Sequence, residues 1–385
     1  MNNSLTPIAA FFRVSICNNR QLNTIIQKSM AKVSSLVIRA GSDALRKIRN
    51  DGFSFHDVEV MAGASGGPKW FVLTGLDKAV MTHLLPTREE PLHLLGTSAG
   101  CWRFSCLAQA DPLSAHERFE QGYLHQRYSK HATAEEITGK CRGLVKAMLA
   151  DNGASEIVAN PKVKLNLIAT QCHGLAAREQ RHLQAAGLLM SAAGNALSRR
   201  HLGRFFTRVL FHHPDARPPF WALNDLPTRR VPISAENIED AIVASGSIPL
   251  VLSGVRDIHG AGPGVYRDGG VTDYHFDLPF NQGNGLVFYP HFYDRAIPGW
   301  FDKSLKWRKP SAHNYRNVVM VAPSPAFVSQ LPYGKIPDRK DFVRMDDQQR
   351  IQYWQTVIHE SQRLGDELLE RLEKGDLEQH LQPIA

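Results

Sequence analysis

The sequence predicts an α/β fold, a three-layer sandwich in which a mainly parallel central sheet is covered by helices on both faces. Short apolar runs alternate with stretches of helical periodicity from Leu36 to about Val287, the order expected of a parallel sheet with helical crossovers. Three of the apolar runs also lead directly into glycine-rich turns. No internal repeat or low-complexity tract interrupts this order.

The strands are predicted from short apolar runs that are bounded by turn residues. They are expected at residues 35–39, 57–62, 91–95, 163–170, 229–233, 263–267, 285–290 and 317–321.

The 385-residue chain is 43% hydrophobic and 21% charged, so it can bury one large core. We expect a single domain over residues 35–385, with a basic helical insertion near 175–220 and a C-terminal helix near 346–374. The first 42 residues contain no Asp or Glu, which is typical of an organellar transit peptide and equally of a flexible extension. Because they lack the continuous apolar core of a secretory signal, residues 1–34 are expected to form a flexible extension outside the fold. Residues 291–345 are rich in proline and aromatic residues, and we find no chemical motif there.

A G-x-S-x-G motif places Ser98 between a predicted strand at 91–95 and a predicted helix at 101–110. This context is that of a nucleophile elbow, in which a strained turn exposes the serine hydroxyl. Gly96 and Gly100 suit the turn because side chains there would collide with the neighbouring strand and helix. A chance turn with a capping serine is the alternative for such a motif on its own.

A glycine-rich loop follows the predicted strand at 57–62 and precedes an amphipathic helix from about Trp70 to Leu85. Its backbone amides at Gly66 and Gly67 can approach a substrate closely because no Cβ intervenes. Together with the amide of Ala99, which follows the serine, they are candidate oxyanion-hole donors.

The same loop is not a phosphate-binding loop. Pro68 replaces the second glycine of G-x-x-x-x-G-K-[ST], and Trp70 replaces the hydroxyl that would hold Mg²⁺. No G-x-G-x-x-G for a dinucleotide is found either. We expect Trp70 to begin the core face of the following helix rather than to line a substrate pocket.

Asp268 follows a short predicted strand and is itself followed by Gly269 and Gly270. A carboxylate at a strand end, beside small residues that let another loop pack closely, is suitably placed for a general base. The pair Asp-Gly on its own is most often a turn.

In order and context, the three motifs resemble the patatin-like phospholipase family, whose pattern is G-G-G-x-[RK]-G, then G-x-S-x-G, then D-G-[GA]. The resemblance covers roughly residues 36–280. The segment 244–249, Ala-Ser-Gly-Ser-Ile-Pro, is also similar to the A-S-x-A-x-P stretch of that family. The oxyanion loop departs from the pattern, because Ser65 stands at its first glycine position and Trp70 at its last.

The resemblance implies an acyl hydrolase with a Ser-Asp dyad and a patatin-like fold over residues 35–385. Ser98 would be the nucleophile and Asp268 the base, and the oxyanion would be held by Gly66, Gly67 and Ala99. Supporting roles fall to the glycines of the motifs and to the basic residue of the loop: Gly96, Gly100, Lys69, Gly269 and Gly270. The implied substrate is a phospholipid or lysophospholipid, and no cofactor or metal is implied.

Three alternatives remain open at this stage. An acyltransferase would use the same residues and pass the acyl group to an alcohol or thiol. A Ser-His-Asp esterase would need a histidine base, for which His275, His291 and His359 are the candidates. A catalytically silent membrane-binding protein would have lost the dyad geometry. A metal site formed by Asp273, His275 and Asp277 is a weaker possibility.

The formal charge of +8 favours anionic partners. No acidic residue occurs from Gln180 to Pro214, and the apolar spacing over 199–210 predicts a helix with arginines on one face and Phe and Leu on the other. Such a helix either contacts an anionic membrane surface or packs as a cap on the core. No nucleic-acid-binding motif accompanies the charge. Because the five cysteines form no disulfide-like framework, we expect a cytoplasmic protein. Peripheral contact with an anionic membrane would follow if the basic helix binds lipid rather than packing as a cap.

Overall fold

The computed structural model describes residues 34–280, 283 and 285–384. The predicted extension at residues 1–34 lies outside the described residues, apart from Ser34. The described chain has an α/β fold with a mainly parallel central sheet and helices around it. The predicted fold class is therefore confirmed.

The strands of the sheet, β1 to β11, are Leu36–Ala40, Val58–Gly63, Leu92–Thr97, Val163–Cys172, Phe206–His212, Thr228–Pro232, Val255–Arg256, Val265–Asp268, Leu286–Pro290, Val318–Pro323 and Leu381–Pro383. Their order is β11-β1-β10-β9-β2-β3-β4-β5-β6. Neighbours in this order are parallel except for β1 with β10 and β4 with β5. Strand β8 pairs antiparallel with both β4 and β7.

The helices, α1 to α11, are Ser42–Asp51, Thr74–Ala79, Ala99–Leu107, Pro112–Leu124, Ala134–Leu149, Gly153–Ala159, Arg181–Leu197, Ile238–Gly246, Pro325–Gln330, Asp341–Arg344 and Asp347–Lys374. Within the described ranges, no helix combines the length and apolar character needed to cross a membrane.

The middle of the sheet is buried on both faces, as expected of a mainly parallel sheet covered by helices. All ten residues of β4 are buried, and so are all six of β10. Each of the eight predicted strands overlaps an observed one, and α11 coincides with the predicted C-terminal helix.

The prediction of a basic helix over residues 199–210 is wrong. Residues Arg199–Arg204 form a 3₁₀ turn, and Phe206–His212 form β5, which pairs with β4 and β6. The predicted insertion near 175–220 does contain a helix, but it is α7, which ends before the arginine cluster. Since the apolar residues of β5 lie in the sheet, the membrane contact predicted for this helix loses its basis.

Candidate active site

Ser98 lies at the turn between β3 and α3, with a φ of 53° and a ψ of −125°. This conformation is strained for a residue with a side chain, and such strain is common at functional turns. The helix packs so closely on β2 that a Cβ on Gly100 would collide with the carbonyl group of Gly63. A Cβ on Gly96 would lie 2.6 Å from Cys101 Cα. The two glycines therefore permit the close packing that holds the turn.

The register of the sheet brings Asp268 to the same place. Strand β3 pairs with β4 as far as Thr97, which lies opposite Ile168. Strand β8 pairs antiparallel with the next residues of β4 and ends with Asp268 opposite Ala169. Because two strands running in opposite directions both end at this point of β4, Ser98 and Asp268 become neighbours although they are 170 residues apart.

Ser98 Oγ donates a hydrogen bond to Asp268 Oδ2 at 2.8 Å. Both residues are buried, with exposed fractions of 6% and 5%. Burial raises the pKa of the Asp268 carboxyl to about 6, against the opposing effect of the hydrogen bonds from Ser98 and from the Gly270 amide. A carboxylate in this environment is a stronger base than an exposed aspartate.

The two glycines after Asp268 serve different purposes. A Cβ on Gly269 would collide with the Ile168 carbonyl oxygen, so this position must be glycine for β8 to end beside β4. The Gly270 amide donates to Asp268 Oδ1 at 2.7 Å and leaves Oδ2 for Ser98. The carboxylate is thereby fixed in orientation by its own turn.

Ser245, at the end of α8, connects the elbow to β4. Its hydroxyl accepts a hydrogen bond from the Ser98 amide at 2.9 Å and donates one to the Ile168 carbonyl at 2.7 Å. Two residues later, the Ser247 carbonyl accepts from the Asp268 amide at 3.0 Å. Ser245 was not predicted as a site residue, although it lies in the segment 244–249 that is similar to the A-S-x-A-x-P stretch.

The glycine-rich loop lies beside this pair. Ser65 is not a free donor, because its amide is bonded to the Tyr274 carbonyl at 2.9 Å. The amides of Gly66, Gly67 and Ala99 have no protein acceptor among the described residues, and all three residues line the cavity that contains Ser98. These amides are therefore available to a bound group.

Lys69, in the loop, and Trp70, directly after it, have structural partners. Lys69 Nζ forms an ion pair with Asp338 Oδ2 at 2.5 Å. Trp70 is 1% exposed and stacks on Phe119 with ring centroids 4.4 Å apart. The prediction that Trp70 belongs to the core is therefore confirmed.

The cavity at Ser98 has a volume of about 1120 Å³. This exceeds the usual range of small-molecule pockets, about 300 to 1,000 Å³. Its wall is mainly apolar, including Trp102, Ile137, Ile248, Leu252, Ile297 and Phe342. A long apolar group can therefore be buried next to the serine.

The candidate histidines have other surroundings. His275 Nδ1 accepts from the Ile297 amide at 3.0 Å, and His291 Nδ1 accepts from the Tyr293 amide at 3.0 Å. Burial lowers the pKa of His275 well below its usual range and that of His291 to about 4. His359 is exposed on α11. In the part of the chain that the structure describes, Ser98 Oγ is hydrogen-bonded to Asp268 and to none of these three.

The residues of the possible metal site do not converge. Asp273 is bonded to the Arg208 guanidinium, whereas Asp277 accepts from the Ser311 amide and the Asn314 side chain. His275 faces Ile297, as described above. Among the described residues, no group of three or more His, Cys, Asp or Glu side chains is arranged to hold a metal ion.

The fold and site thus define an α/β protein with a serine–aspartate pair at a strand-to-helix turn beside a large apolar cavity. No protein-family model matches the chain, and no curated protein matches its sequence. A solved structure of human GIVD cytosolic phospholipase A2 is similar at a TM-score of 0.30 and 9% identity, over 87% of this chain and 63% of that one. The chain therefore spans less than two thirds of that structure, and a similarity this low does not indicate an activity.

Proposed function

We propose that this protein is a serine acyl hydrolase that cleaves fatty acyl esters of phospholipids or lysophospholipids. The observation that carries the proposal is the 2.8 Å hydrogen bond from Ser98 Oγ to Asp268 Oδ2 at a strained strand-to-helix turn. A nucleophile in direct contact with a base is the arrangement that covalent acyl transfer requires. The order of the motifs, which resembles that of patatin-like phospholipases, supports the same reaction.

In the proposed mechanism, Asp268 takes the proton of Ser98 as Oγ attacks the acyl carbonyl. The amides of Gly66, Gly67 and Ala99 hold the developing oxyanion. The proton then passes from Asp268 to the leaving alkoxide, and an acyl-serine remains. Water attacks the acyl-serine with Asp268 again as base, which releases the fatty acid and restores the hydroxyl.

The cavity supports a lipid substrate. Its apolar wall next to Ser98 can shield a fatty acyl chain from water, and burial of each CH₂ contributes about 0.8 kcal/mol. A short soluble ester would leave most of this volume unfilled. We therefore expect kcat/KM to rise with acyl-chain length.

The proposal is tested by incubating the full chain with phospholipids, lysophospholipids and monoacylglycerol, and by measuring the released fatty acid by mass spectrometry. We expect release by the wild type and none above background by Ser98→Ala, which lacks the nucleophile. A fluorophosphonate probe should label the wild type only. Absence of both release and labelling would exclude the proposal. Transfer of the acyl group to an added alcohol in preference to water would identify an acyltransferase.

The pH dependence of the reaction follows from Asp268. Because burial raises the pKa of this carboxyl to about 6, a proton occupies the base below that pH and hydrolysis requires its loss. We expect kcat/KM for a soluble ester to rise about ten-fold per pH unit below the pKa and to level off above it. An aspartate with an ordinary pKa, near 3.9, would instead give a constant rate between about pH 5 and 7. A rate without an inflection in that interval would contradict the assignment.

A further inference from the structure

Three basic side chains lie in or beside the oxyanion loop, residues 65–69. Lys69 belongs to the loop, while Lys303 and Arg339 come from the region between β9 and α11 in which the sequence analysis found no chemistry. All three line the cavity of Ser98. Of the three, Lys69 has a carboxylate partner among the described residues, namely Asp338.

Tyr274 contacts both Lys303 and the oxyanion loop. Its ammonium lies 3.9 Å from the centroid of the Tyr274 ring, and the Tyr274 carbonyl accepts the Ser65 amide at 2.9 Å. The ring faces the ammonium with its negative surface and so orients it without neutralising it. Lys303 is exposed to solvent, so a ligand can reach it.

The charges around the loop act on one another. Surrounding protein, together with the charges of Arg339 and Lys69, lowers the pKa of Lys303 to about 7. The charges of Arg339 and Lys303 oppose the effect of burial on Asp268, which nevertheless raises the pKa of this carboxyl to about 6.

Arg339 packs on the other part of the loop. A Cβ on Gly67, whose φ is +54°, would lie 3.1 Å from Arg339 Cγ and 3.4 Å from Cδ. The aliphatic stem thus covers a candidate oxyanion residue, while the guanidinium forms no ion pair with the described carboxylates. The charge of Arg339 lowers the pKa of Lys303, while the carboxylates of Asp268 and Asp338 act in the opposite direction.

We propose that Lys303 and Arg339 form a subsite for the phosphate group of the substrate, next to the oxyanion loop and the dyad. This inference rests on the proposed acyl hydrolase function and assigns the residues that would select the phosphate group of its phospholipid or lysophospholipid substrate. The guanidinium offers a planar pair of donors that matches two phosphate oxygens, and the ammonium offers a point charge to a third. A neutral glycerolipid would present no anion to either side chain.

The test compares two esters with the same acyl chain, lysophosphatidylglycerol and monoacylglycerol, which differ by the phosphodiester headgroup. We expect the wild type to prefer the phosphate ester by kcat/KM. Lys303→Gln and Arg339→Gln should each reduce the ratio of kcat/KM for the two substrates by at least about ten-fold, as expected for loss of a hydrogen bond to a charged group. Lys306→Gln and Arg344→Gln are matched controls, because both residues are exposed and lie outside the cavity wall.

Inorganic phosphate separates the lipid phosphate from a free phosphate as the ligand. If the subsite binds the anion independently of the lipid, inorganic phosphate inhibits the wild type competitively and inhibits Arg339→Gln less. If it acts only on the tethered group, inorganic phosphate has no effect while the ratio still falls in the variants. Both outcomes support the proposed subsite.

An unchanged ratio in both variants, with Ser98 still labelled by fluorophosphonate, overturns the subsite and leaves the hydrolase proposal intact. An equal fall on both substrates also overturns it, because a general effect on the oxyanion or on Asp268 does not discriminate by headgroup. A wild type that neither reacts with the probe nor cleaves either ester overturns the hydrolase proposal itself.

Discussion

Asp268→Asn is expected to lower the rate of ester hydrolysis by about 10² to 10⁴-fold. Asparagine keeps the size of the side chain and can still accept the hydrogen bond that Ser98 Oγ donates at 2.8 Å. It cannot take up the proton, so the serine is no longer activated. The measurement is kcat for a soluble ester at about pH 8, where the wild-type carboxyl is ionised because its pKa is about 6. Circular dichroism of the variant confirms that the fold is retained.

Histidine variants are the control for this prediction. His275→Gln, His291→Gln and His359→Gln should each keep most of the turnover and the fluorophosphonate label on Ser98. The first two imidazoles are bonded to backbone amides, and the third is exposed on α11. A fall of about three orders of magnitude in one folded histidine variant, with a mild effect of Asp268→Asn, would replace the dyad by a Ser-His-Asp triad.

The strand-to-helix turn at Ser98 was predictable because its requirements are local, whereas the role of Asp268 was inferred from the order of the three motifs. A serine between Gly96 and Gly100 after a short apolar run requires a particular turn, and that requirement is written in adjacent residues. The direct contact of Ser98 with Asp268 was not predictable from the residues alone, since it depends on the register of β3 and β8 along β4.

In the arginine-rich segment, charge and periodicity led to the wrong prediction of a helix. The spacing of Leu202, Phe206 and Leu210 fits a helix, and an arginine beside them is normally solvated. Arg208 instead lies in β5 and is fully buried, with Asp225 and Asp273 as partners. Those carboxylates are 17 and 65 residues away in the chain, so no local pattern reveals them.

Lys303 and Arg339 were not predicted as site residues, for a related reason. They belong to irregular segments without hydrophobic periodicity, and isolated basic residues in loops are common on any protein surface. The role proposed for them rests on their contacts with Tyr274 and Gly67, which the fold alone determines.

Arg208→Gln is expected to destabilise the protein by about 3 to 5 kcal/mol, the usual cost of removing one partner of a buried ion pair. The Arg208 guanidinium makes two hydrogen bonds of 2.7 Å to Asp273, which is itself fully buried. Without them, the remaining ion-pair partner of Asp273 among the described residues is Arg199, at 3.2 Å. The buried carboxylate would then be only partly compensated.

The measurement is urea unfolding of the variant beside Arg200→Gln and Arg204→Gln, whose side chains are exposed in the 3₁₀ turn before β5. These controls should change the free energy of unfolding by less than about 0.5 kcal/mol. Arg208→Gln should lower the midpoint with little change in the slope. If all three variants were equally stable, Arg208 would not be a buried partner of Asp273, and the helical assignment of 199–210 would regain its basis.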